Sequence, residues 1–117
     1  MSWHAGNADL DGADDGGWFL GHFMAGRVPA LTSRDVEVKW ARLAPGSRDD
    51  EWTAPEPHTS LCVLVSGSQR LAFREGAVVL QRPGDYVLWF PGEQHTWRSS
   101  ESEETTLLTV RWPSTAG

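Results

Sequence analysis

From residue 36 onward the chain is a succession of short apolar or alternating runs, each stopped by glycine or proline. Val36-Glu37-Val38-Lys39-Trp40 alternates apolar and charged side chains, as a half-buried strand does, and Ala44-Pro45-Gly46-Ser47 turns it. Leu61-Cys62-Val63-Leu64-Val65 is apolar on both faces and ends at Ser66-Gly67-Ser68. Arg70 to Arg74 alternates and stops at Glu75-Gly76, and Ala77 to Leu80 closes at Pro83-Gly84-Asp85. Tyr86 to Phe90 ends at Pro91-Gly92, and Thr106 to Trp112 ends at Pro113. No window carries a convincing helical period. Short strands at regular spacing with such punctuation predict an all-β sandwich or barrel.

The 117 residues suit one domain with one core. Residues 1–16, rich in Gly, Asp, Asn and Ala, are expected to form a flexible arm with little structure of their own, and 17–117 the single barrel domain. Between them Trp18-Phe19-Leu20-Gly21-His22-Phe23-Met24 is apolar but too short for a stable helix, so it is expected to be an edge strand or a packed arm. Left uncovered it would expose a large apolar patch, and on that ground a homodimer is expected.

The formal charge of −6 repels phosphate backbones and argues against a nucleic-acid partner. No apolar run approaches the roughly 18 residues that span a bilayer, so no membrane partner is expected. Cys62 is the only cysteine, which rules out a disulfide within the chain and favours a reducing compartment. The first residues show no basic region followed by an apolar stretch, and the expected location is the cytoplasm. Tryptophan is used seven times, as barrel filling, pocket wall or interface.

The stretch Gly84-Asp85-Tyr86-Val87-Leu88-Trp89-Phe90-Pro91-Gly92-Glu93-Gln94-His95 resembles the second cupin motif. Both glycines and His95 hold the family's spacing, whereas Pro91 stands one residue closer to the glycine than the motif has it. Of the first motif, Gly67 and the Leu61–Gly67 run remain. The place of its metal-binding glutamate falls on Ser60, and those of its two histidines fall near Ala54 and Glu56. Trp18 to Phe23, Val36 to Trp40 and Thr106 to Pro113 look like short stand-alone bacterial cupins. The resemblance covers roughly Val36 to Pro113. It implies a conical antiparallel β-barrel, the jelly roll or double-stranded β-helix of that superfamily, binding a small molecule inside.

Period-two alternation puts Glu56, His58, Ser60 and Cys62 on one face if the strand is regular there, and His95 shares a face with Trp97. With both faces inward, His95, His58 and Glu56 offer two imidazoles and a carboxylate, a set suited to one divalent Fe, Mn, Ni or Zn. Pro55 and Pro57 weaken regular pairing at that point. The alternatives are a hydrogen-bonded structural His95 and a His58 at the rim. His95, Trp97, Arg42 and Ser60 are the expected ligand contacts, Arg42 because it follows Val38 and Trp40 at period two. Two functions stay open: a cupin enzyme acting on a small metabolite, with or without metal, and a non-catalytic ligand-binding or sensing module.

Overall fold

The computed structural model describes residues 2–115. It contains nine strands: β1 (Trp18–Leu20), β2 (Glu37–Leu43), β3 (Arg48–Asp49), β4 (Thr59–Ser66), β5 (Gln69–Phe73), β6 (Gly76–Leu80), β7 (Tyr86–Trp89), β8 (His95–Ser99) and β9 (Thr105–Trp112). They form two antiparallel sheets, one ordered β1-β2-β9-β4-β7 and the other β3-β8-β5-β6. The all-β expectation holds, and the sheets face each other across a core of Cys62, Leu64, Leu71, Leu80, Trp89 and Leu107. Each of these comes from a position of fixed parity on its strand, as period-two burial requires.

The parity of β2 is the reverse of the one expected for Arg42. Glu37, Lys39, Ala41 and Leu43 point between the sheets, and Val38, Trp40 and Arg42 point out. The registers make the outer face legible. Trp40 opposes Leu108, Leu108 opposes Val63, and Val63 opposes Tyr86. One row along, Val38, Val110, Leu61 and Leu88 align in the same way. The outside of this sheet is therefore apolar across four strands, while its inside carries charge. Tyr86 and Phe90 remain 65% and 61% exposed.

The N-terminal residues form short turns that contact β2. Asn7 caps a single helical turn, Ala8–Asp11, its side chain accepting from the Leu10 amide at 3.2 Å. Asp9 reaches Arg42, and Trp40 donates its amide to the Gly17 carbonyl at 3.0 Å. Polar and backbone contacts to β2 thus hold a stretch that has little apolar surface to bury. Trp18–Leu20 is the edge strand expected, and a 3₁₀ turn over His22–Met24 buries Met24 on the chain's own barrel. The other apolar side chains of the Trp18–Met24 segment stay half-buried.

Candidate functional site

A cavity of about 220 Å³ opens between the sheets. Lys39, Cys62, Thr109 and Arg111 line it from the five-stranded sheet, and Gln69, Leu71, His95 and Trp97 from the other. Trp18, Trp89 and Glu56 complete the wall.

His95 is delivered to it by the turn that the Gly-Asp stretch builds. Asp85 Oδ2 accepts from the amides of Gln81 and Arg82 at 3.0 and 2.9 Å, fixing the entry to β7. Gly92, at φ +96°, makes the left-handed turn that leads back into β8. The segment before β4 is laced to this turn by main-chain bonds. Thr53 donates to the His95 carbonyl at 3.1 Å, Glu56 to that of Glu93 at 3.3 Å, and Gly92 to that of Glu56 at 2.8 Å. Pro55 and Pro57 fall at positions this lacing does not use, so the prolines end the regular strand without disturbing Glu56.

Glu56 and His95 meet inside the mouth. Glu56 Oε1 lies 3.0 Å from His95 Nδ1, off the ideal line of the ring N–H, so the contact is a close electrostatic pairing more than an aligned hydrogen bond. Glu56 Oε2 accepts from Trp89 Nε1 at 3.1 Å. Burial pushes the Glu56 carboxyl up, but the close His95 contact and the Trp89 bond outweigh it and hold the group below its usual value. The carboxylate faces Nδ1, and Nε2 has no hydrogen-bond partner among the described residues. The imidazole is wedged between rings, 5.0 Å from Trp89 and 6.1 Å from Phe73, so its orientation is fixed.

A second polar cluster closes the neighbouring end. Glu37 is 1% exposed. Its Oε1 accepts from Arg111 Nε at 2.7 Å and its Oε2 from Ser114 Oγ at 2.9 Å. His22 Nδ1 and His58 Nε2 each stand 3.6 Å from this carboxylate. Arg111 also lies 4.0 Å from the centre of the Trp18 ring, with Lys39 Nζ at 5.6 Å from it.

The expected site residues divide accordingly. His95 and Trp97 line the cavity, and Glu56 joins them. His58 turns to Glu37 instead, because β4 becomes regular only at Thr59 and the alternation assumed for Glu56, His58 and Ser60 does not extend before it. Ser60 is fully buried, its hydroxyl has no hydrogen-bond partner among the described residues, and it does not line the cavity. Arg42 lies on the outer surface, paired with Glu104 at 3.1 Å and Asp9 at 3.3 Å, and does not line the cavity between the sheets. His95, His58 and Glu56 do not come together as a donor set, and among the described residues no three His, Cys, Asp or Glu side chains form a group able to hold a metal ion. A resident metal therefore does not fit the donor set assigned to it. Cys62 faces the cavity, but burial pushes its thiol up, against the opposing bond to Thr109 and the nearby Lys39, and leaves it a neutral core group. Sequence reasoning missed Lys39 and Arg111. Their alternation with apolar neighbours was visible, but which parity faces inward was not.

No family model matches the sequence, and no curated protein matches it. Solved structures do match in shape. A cupin protein from Bacteroides fragilis superposes with a TM-score of 0.59 at 14% identity, over 71% of this chain and 70% of that one. A Cupin 2 conserved barrel domain protein from Salinispora arenicola gives 0.55 at 22% identity, over 67% of this chain and 63% of its own. The DMSP lyase DddQ from Ruegeria pomeroyi gives 0.64 at 15% identity, over 75% of this chain but only 43% of its own. At these identities it is the architecture that is shared, and this chain has the cupin fold.

Proposed function

We propose that the protein holds a small organic molecule in the cavity between its sheets, with His95 Nε2 as the polar contact and Trp97 as a wall. The observation that carries this reading is the Glu56–His95 pair at 3.0 Å, set in a fixed orientation at the mouth of a cavity lined by both sheets. A half-buried carboxylate that holds an imidazole by one nitrogen leaves the other nitrogen to meet a ligand. The presence of a lyase among proteins of this fold keeps the enzyme reading open beside the binding one. Screening small fragments by ¹H–¹⁵N NMR tests the proposal. Hits that shift His95, Trp97 and the Trp89 indole, and that weaken at least tenfold in a folded His95→Ala variant, support it. Hits indifferent to His95→Ala place the site elsewhere.

The second reading concerns assembly. A homodimer is proposed through the outer face of the five-stranded sheet rather than through Trp18–Met24. Two aligned rows of apolar residues, Trp40 to Tyr86 and Val38 to Leu88, support it, continued by exposed Phe90. Such a face exceeds the scattered apolar exposure usual on a monomer.

A further inference from the structure

The charged groups around the cavity are not all paired. Glu37 is engaged by Arg111 and Ser114, with two histidines beside it. Glu56 is engaged by Trp89 and His95. Lys39 lines the same cavity, is half-buried, and has no carboxylate within ion-pair distance among the described residues. Its contacts are the Trp18 ring, the core thiol of Cys62 and the field of Arg111. Burial, and then the neighbouring guanidinium, push its pKa down. An ammonium placed in that way costs free energy in the empty protein, and a protein whose net charge is −6 has acidic groups to spare for pairing it elsewhere. A ligand anion supplies what the fold withholds.

We propose that the cavity takes a small organic carboxylate, a monoanion, whose charged group is held by Lys39 beside Trp18 while the rest of the molecule spans to Trp97 and His95 on the facing sheet. The assignment rests on the reading of the cavity as a small-molecule site and names the ligand class. One charge is the right number. Arg111 is already paired with Glu37, so Lys39 is the cavity cation left without a carboxylate partner among the described residues, and a dianion would bring an excess negative charge toward Glu37 and Glu56. The volume of about 220 Å³ admits a molecule of a few carbons or one ring. Trp18, Leu71 and Trp97 offer it apolar surface.

Acid and amide pairs of equal shape isolate the charge: acetate with acetamide, isobutyrate with isobutyramide, benzoate with benzamide, each titrated at pH 7 and read at the tryptophan indole resonances. At least one acid is expected to bind tenfold or more tightly than its amide. Lys39→Met should remove that preference, and Lys39→Arg should keep it. The acid–amide comparison on the unaltered protein needs no variant, so the proposal stays testable if Lys39→Met folds poorly. Acids and amides binding equally would overturn the charge assignment and leave the small-molecule reading in place. A preference that survives Lys39→Met would overturn the role of Lys39. Inorganic phosphate binding more tightly than every acid would overturn the monoanion. No response to any probe would overturn the ligand class, and neutral fragments sensitive to His95→Ala would then separately decide the cavity.

Discussion

Glu56 and His95 face each other from segments that are joined by main-chain bonds on either side of them, and the Trp89 indole locks the far oxygen of the carboxylate. The folded protein therefore binds Glu56 better as an anion than the unfolded chain does. A depressed carboxylate contributes stability that is present above its ordinary value of 4.5 and is lost as the pH falls through the lower folded value. Denaturant midpoints of the parent should drop below pH 4.5 more steeply than those of Glu56→Gln. Parallel acid limbs for the two proteins would show that the pairing adds nothing to folding.

Around Glu37 the two partners are not equally buried. Removing Arg111 leaves a carboxylate enclosed without its cation, whereas Glu37→Gln leaves a guanidinium that is 28% exposed and can hydrate. Arg111→Met should cost about 3 kcal/mol or more, and Glu37→Gln clearly less. Urea unfolding of both variants at pH 7 measures the difference, and the opposite order would mean that the imidazoles of His22 and His58 carry the compensation.

The apolar outer sheet gives a prediction on assembly. A standard interface covers about 800 Å² per partner, so the two residue rows would form the centre of the contact and not the whole of it. Leu88→Arg sits in the middle of its edge, 40% exposed, so it should leave the barrel folded and turn the dimer into a monomer. Sedimentation velocity from micromolar upward reads this directly. A parent protein already monomeric throughout that range would remove the basis for the dimer.

Two glycines with similar backbone angles should respond differently to alanine. At Gly92, φ +96°, a Cβ meets nothing within 4 Å, so only the left-handed conformation is penalised, by about 1–2 kcal/mol. At Gly67, φ +84°, the same atom would lie 2.5 Å from Thr105 Oγ1 and 2.6 Å from the Glu104 carbonyl. Gly67→Ala should lower the melting temperature distinctly more than Gly92→Ala.

These glycines mark what the sequence could reveal. Gly67, Gly84 and Gly92 each sit at positive φ where the motif puts them, and they carry the strands and His95 to the expected places. Local turn chemistry is written in single residues, so it is readable. The inner wall was not readable, because alternation in Val36 to Trp40 gives a period and not a direction. The natural guess, apolar side inward, fails for β2: its inward side carries Glu37 and Lys39, which the cavity and Arg111 accommodate, and its apolar side faces out. His58 failed for a related reason. Its distance along the chain from Ser60 fits a strand face, but the strand starts after it, and a residue just outside a ladder is free to turn to another partner.

The bonds that Thr53, Glu56 and Gly92 make through their peptide groups give the mouth of the cavity a shape that does not rest on the side chains at positions 56 and 95. Positions 56 and 95 are thus free to exchange chemistry, acid for amide or imidazole for hydroxyl, while the frame keeps the two groups opposed. A barrel built in this way can change what it accepts by single substitutions at its rim, and its capacity to diversify comes from the part of the chain that carries no information about any ligand.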